Sequence, residues 1–112
     1  MTAPRLNRPL RLEDPQAIGD GAGGFRINWA QLGVLWADVE ALSGRETGRR
    51  GTPVSLQRYR ITLRAAPVGS PARPKPDQRF REGTRLFKID AVAEHDRDGR
   101  YLTCLATEEL AT

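Results

Sequence analysis

Cysteine and histidine are each present once, as Cys104 and His95, in a chain of 112 residues. A lone cysteine excludes an intramolecular disulfide. One cysteine and one histidine cannot complete a zinc site within one chain. Lysine is nearly missing too: Lys75 and Lys88 are the only two among 18 basic residues. The arginines suit bidentate pairing at interfaces better than lysines do, although a GC-rich coding bias gives the same composition. Aromatic residues make up 6% of the chain, so the expected core is modest and rests on Phe25, Trp29, Trp36, Tyr59, Phe80, Phe87 and Tyr101. No run approaches the ~18 apolar residues of a membrane span. The polar start Met1-Thr2-Ala3-Pro4-Arg5 lacks the apolar core of a signal peptide. These absences predict a soluble protein of cytoplasmic origin with no membrane partner.

What is present amounts to a single domain over residues 1–112. The formal net charge is +4, and its distribution says more than its total. Between Ser43 and Lys88, twelve basic residues stand against three acidic ones; from Ile89 onward, six acidic residues stand against two arginines. Such asymmetry suits nucleic acid. It equally suits a basic edge of one subunit meeting an acidic edge of the next, or a merely solvated surface.

The chain reads as short strands between Gly/Pro-rich loops. Pro9–Glu13 alternates apolar and polar residues as a first strand, with Pro15 closing it. Gly19–Gly24 holds four glycines in six residues and reads as a flexible turn. Phe25–Trp29 forms a second strand, and Leu32–Leu42 a third or a bent continuation. Val34, Trp36 and Asp38 then share one face and Leu35, Ala37, Val39 and Ala41 the other, both partly covered. A helix over Trp29–Leu42 is the competing reading, because Trp29, Leu32, Trp36 and Val39 also fit helical spacing. Ser43–Pro53 has glycines and arginines but no apolar residue, which predicts an exposed basic loop.

The clearest strand is Arg58–Arg64: Tyr59, Ile61 and Leu63 alternate with Arg58, Arg60, Thr62 and Arg64, giving an apolar inner and a basic outer face. Val54 and Leu56 have the opposite parity, which predicts a bulge or break near Gln57. The prolines of Ala65–Gln78 predict an extended or mobile segment. Arg85–Ala93, with Phe87, Ile89, Ala91 and Ala93 on one face, pairs with Tyr101–Thr107 through a polar turn with Gly99 at positive φ. About six short strands with long Gly/Pro-rich loops predict an all-β fold, a small antiparallel barrel or sandwich.

Chemistry is conspicuously thin. Gly19, Gly21 and Gly24 have GxGxxG-like spacing, but no βαβ unit and no Gly-Lys-Ser/Thr accompany them. Asp96-Arg97-Asp98-Gly99 lacks the ligand count of a calcium loop. His95 and Cys104 have no third group to orient a base, and Cys104 sits in an apolar stretch that predicts burial. The expectation is a protein that is not an enzyme and holds no metal or cofactor.

One ordered set of motifs resembles a known family. An N-terminal strand (Leu10–Leu12), a Gly-rich turn (Gly19–Gly24) and Trp29 precede the strand Trp36-Ala37-Asp38-Val39-Glu40, which runs into Ser43-Gly44-Arg45-Glu46. Tyr59–Arg64, Phe87–Val92 and Leu102–Glu108 follow. Read together they resemble the head–tail joining proteins, of the head-closure or stopper type, of tailed bacteriophages and phage-derived particles. The Pro-rich Ala65–Gln78 segment is longer than that pattern.

The resemblance implies a small β-barrel that forms a homo-oligomeric ring of six or twelve copies. Such a ring sits at the head–tail interface of a virion or phage-like particle, between the portal and adaptor above and the tail terminator and tail tube below. It retains packaged double-stranded DNA. On that reading Arg45, Arg49 and Arg50 face the channel and DNA. Arg58, Arg60 and Arg64, with Glu108 and Glu109, make contacts between subunits or with partners. The rival readings are a nucleic-acid-binding barrel of OB or SH3-like type, or another connector ring component such as an adaptor or tail terminator. An OB-type site would interleave exposed aromatics with its basic residues, whereas Tyr59 and Phe87 fall on apolar faces.

Overall fold

The computed structural model describes residues 3–42 and 57–109. Its six antiparallel strands are β1 (Arg8–Gly19), β2 (Phe25–Ala41), β3 (Arg58–Arg64), β4 (Arg79–Glu82), β5 (Arg85–Glu94) and β6 (Tyr101–Glu109). They close into a barrel in the order β1-β2-β3-β6-β5-β4, so the all-β expectation holds. Leu10 and Leu12, Ala37, Ile61 and Leu63, Phe80, Phe87 and Ile89, and Leu102, Cys104 and Ala106 fill the interior. Period 2 dictates this set: on each strand the inward residues are the apolar ones.

The strand boundaries differ from the sequence reading in instructive ways. Of the two readings of Leu32–Leu42, the continuation of the second strand holds: Phe25–Ala41 is one 17-residue strand, β2, and no helix forms over Trp29–Leu42. β1 does not stop at Pro15; it continues to Gly19, with Pro15 opposite Trp29. Beyond Glu13, β1 has only β2 as a neighbour among the described residues, and a strand with a free edge is where proline is tolerated. The Arg79–Glu82 strand was not expected, because its only apolar residue is Phe80. In β5 the register shifts between Ile89 and Ala91. Val92 therefore packs toward the core while Ala91 and Ala93 are exposed, contrary to the expected face.

The Pro-rich segment is not a loose tether. Successive turns bond Ser70 N to Pro67 O, Arg73 N to Ser70 O and Gln78 N to Lys75 O. Pro74 and Gln78 are buried, and Ile89 N donates to Gln78 O at 2.9 Å. The Gly-rich turn is likewise built: Asp20 Oδ1 accepts from Ala22 N at 2.8 Å and Gly24 N at 3.0 Å. Val54 and Leu56, on which the expected parity break near Gln57 rests, and the loop Ser43–Pro53 lie outside the described residues.

The connectivity gives the barrel two unlike ends. At one, β2 finishes at Ala41 and β3 begins at Arg58, so residues 43–56 leave and return there. At the other, the Pro-rich segment joins β3 to β4, the β5–β6 turn projects, and β1 and β2 run on together. That extension pairs Asp14–Gly19 with Phe25–Ala30, a two-stranded ribbon ~20 Å long at the usual strand rise.

Candidate functional site

The side chains that distinguish this molecule lie on the outer face of β1 and β2. Directly opposed residues in an antiparallel pair share a face. The register places Pro9/Trp36, Arg11/Val34, Glu13/Gln31, Pro15/Trp29, Ala17/Ile27 and Gly19/Phe25 on one side. A bulge between Leu12 and Glu13 leaves Leu32 without an opposite residue, and Gly33 adopts φ +150° there. The bulge changes the strand's parity, so odd-numbered Phe25, Ile27 and Trp29 fall on the same outer face as even-numbered Val34 and Trp36. The result is an apolar stripe: Phe25 is 77% exposed, Ile27 62%, Trp36 56% and Val34 50%. These residues are therefore not the core aromatics and covered strand face that the sequence suggested; Phe80 and Phe87 are the buried aromatics.

A buried polar cluster fastens the ribbon to the barrel. Arg79, in β4, stacks over Trp29 with its guanidinium 3.8 Å from the ring centroid. Arg79 Nε donates to Glu13 Oε1 at 2.7 Å, and Arg81 Nε donates to Glu13 Oε2 at 3.0 Å. Both carboxylate oxygens are thus satisfied, which a buried charge requires. On the ribbon's other face, Gln78 Nε2 donates to Asp14 Oδ1 at 2.9 Å.

A second cluster closes the end of the barrel from which residues 43–56 emerge. Arg85 Nε donates to Glu108 Oε2 at 2.8 Å and its Nη2 to the Tyr59 hydroxyl at 3.0 Å; Tyr59 donates to Glu108 Oε1 at 3.0 Å. Arg8 pairs with Glu82 beside them. The hydrogen bond from Arg85 holds the Glu108 carboxyl below the usual carboxylate range, and Arg8 does the same for Glu82. Burial, reinforced by Glu108, pushes the Tyr59 hydroxyl up. Charged acids and a neutral phenol make this a fixed structural network.

The predicted contact residues divide among these surfaces. Arg58, Arg60 and Arg64 are exposed on the outer face of β3. Arg60 reaches Glu40 of the neighbouring strand at 2.8 Å. Glu108 points into the end cluster and is held within its own chain, whereas Glu109 is exposed. Arg45, Arg49 and Arg50 lie outside the described residues. Tyr59 is half-buried and Phe87 fully buried, so neither offers a stacking platform beside the basic strand. Cys104 is buried, and burial pushes its thiol pKa up to about 12.

Comparison with known proteins gives the arrangement its context. A family model described as phage head completion protein matches residues 1–109. The chain belongs to the phage head completion protein family. A solved chain from the virion of a native gene transfer agent particle is 50% identical to this head completion family member, with a TM-score of 0.83. That match covers 98% of this chain and 100% of the other. No curated protein matches the chain. The resemblance read from Trp36–Glu40 and Ser43–Glu46 is thus shown, and it supports a head–tail connector role for this family member.

Proposed function

We propose that this chain is the stopper of a head–tail connector. In this reading it resides in a phage-like particle as a ring of six or twelve copies. The ring meets the portal and adaptor on one side and the tail terminator or tail tube on the other. It retains packaged double-stranded DNA until the tail is attached. The observation that carries the reading is the end-to-end match at 50% identity to a chain of a gene transfer agent virion, within a family named for head completion.

The unlike ends of the barrel support the same reading, since a connector part must offer different surfaces to different neighbours. Residues 43–56, with Arg45, Arg49 and Arg50, leave from the end closed by the Arg85–Glu108 cluster. They supply the channel-facing, DNA-contacting part. The role is mechanical: a polar, glycine-containing segment carries cations for phosphate contact and needs no catalytic group.

Trimming Gly48–Thr52 tests the proposal. The expected result is normal incorporation into particles with heads that leak DNA. Trimmed particles that incorporate the chain and keep their DNA refute the gating assignment.

A further inference from the structure

We infer that the apolar stripe Phe25–Ile27–Val34–Trp36 is the seat of a neighbouring copy of this chain, which docks the outer face of its β5–β6 hairpin there. The inference deepens the ring reading and rests on it, but it concerns which surfaces meet.

The ribbon itself calls for a cover. An isolated two-stranded ribbon is marginal in water. Here the outer face beyond Glu13 is Pro15/Trp29, Ala17/Ile27 and Gly19/Phe25, with Phe25 and Ile27 mostly exposed. Val34 and Trp36 carry the same face onto the barrel wall. The two exposed apolar pairs, Phe25/Ile27 on the ribbon and Val34/Trp36 on the wall, lie along one face, joined by Trp29 and interrupted by the Glu13/Gln31 pair. Large exposed apolar side chains grouped on one face mark an interaction surface, whereas scattered ones do not.

The β5–β6 hairpin offers a matching surface in shape and charge. Opposed pairs put Ala91/Leu105 and Ala93/Thr103 on its outer side, and Ala91, Ala93 and Leu105 are all exposed. Small side chains there leave room for the large ones of the stripe. Beside the stripe, Arg11, Arg79 and Arg81 share the outer face with one carboxylate, Glu13. Between Asp90 and Tyr101 the hairpin carries Asp90, Glu94, Asp96 and Asp98 against Arg97 and Arg100. Arg79 and Glu13 are buried and pair with each other, which leaves Arg11 and Arg81 as the accessible charges at this edge, while Arg100 pairs with Asp96 and Asp98 in the hairpin tip. A net positive edge thus meets a net negative tip, the complementarity that steers and registers an interface.

Position in the barrel makes the contact head-to-tail. In the closed order β1-β2-β3-β6-β5-β4, β2 and β5 are separated by two strands in either direction, so their outer faces look away from each other. The ribbon and the β5–β6 turn also leave the barrel from the same end, which sets them level in adjacent copies. A patch on one side that fits a different patch on the opposite side is heterologous, the type of contact from which rings are built when the rotation closes.

A benzophenone amino acid in place of Ile27, in otherwise intact chains assembled into particles, tests this directly. Irradiation is expected to give dimers and higher multiples whose cross-linked peptides join position 27 to residues 90–105 of another copy. Cross-links from 27 to 27, to a different particle protein only, or to nothing overturn the inference. Copy number per particle, measured by quantitative mass spectrometry, separates the two readings. Several copies without the 27-to-hairpin cross-link leave the ring standing and remove this interface; one copy removes both. As a second measurement, Phe25→Ser with Ile27→Ser is expected to cut incorporation by roughly tenfold or more, with the purified chain's thermal unfolding unchanged. Undiminished incorporation overturns the proposal.

Discussion

The Arg79 guanidinium lies over the Trp29 ring, 3.8 Å from its centroid, while the same side chain grips Glu13 at 2.7 Å. One β4 residue therefore fixes both strands of the ribbon, β1 through an ion pair and β2 through a cation–π contact. Arg79→Ala leaves the buried Glu13 with Arg81 alone. The expected loss is ~3 kcal/mol of folding stability, as for a broken buried pair, read by urea denaturation. Arg79→Lys is expected to recover only part, because ammonium cannot stack and donate in the same plane. Wild-type stability in Arg79→Ala refutes the anchoring role.

Gly33 sits at the bulge with φ +150° and open space around its missing Cβ. Alanine there meets no neighbour, so the cost is torsional, about 1–3 kcal/mol. Gly33→Ala is expected to lower the unfolding midpoint and to shift amide signals on both sides of Leu12 and Gly33. A neutral substitution contradicts the assigned backbone strain.

Acid sensitivity follows from the end cluster. The carboxyls of Glu108 and Glu82 are held below their ordinary value of 4.5 by Arg85 and Arg8. A depressed folded-state pKa contributes stability that is fully present above the unfolded value and is lost as pH falls through the folded one. Stability is therefore expected to decline on acidification below about pH 4.5, and Glu108→Gln with Glu82→Gln to flatten that decline. An identical acid profile in the double variant refutes the assignment.

Cys104, with its thiol pKa raised to about 12 by burial, is expected to resist alkylation in the native state at pH 8 and to react fully in denaturant, since the thiolate is the nucleophile. Rapid native labelling contradicts the packed interior.

The basic face of β3 was legible in the sequence because strict alternation from Arg58 to Arg64 leaves only one way to bury Ile61 and Leu63. The ribbon was not. Pro15 reads as a stop, and the joining of Phe25–Trp29 to Leu32–Leu42 is left open; resolving both requires knowing that β1 has a free edge and β2 a bulge. The same kind of parity change at Asp90 inverted the expected faces of Ala91 and Val92. Aromatic content was equally misleading: Phe25 and Trp36 look like core residues until register places them outside. Buried turns likewise hide in the prolines of Ala65–Gln78, since composition does not reveal that Pro74 packs under the barrel. Motif order carried the family, whereas the stripe on its surface required the fold.

Charge reversal at Arg60 and Arg64 separates assembly from folding. Arg60 and Glu40 form an exposed pair, with side chains 46% and 59% accessible, and such pairs contribute little to stability. Arg60→Glu with Arg64→Glu is expected to leave thermal unfolding nearly unchanged and to abolish incorporation into the connector. Normal incorporation makes these arginines solvent-facing residues with no partner in another subunit.

Electron microscopy of particles produced without this chain, scoring DNA content and tail attachment separately, tests head closure most directly. The account predicts tailless heads that have lost their DNA. Full heads bearing normal tails contradict it.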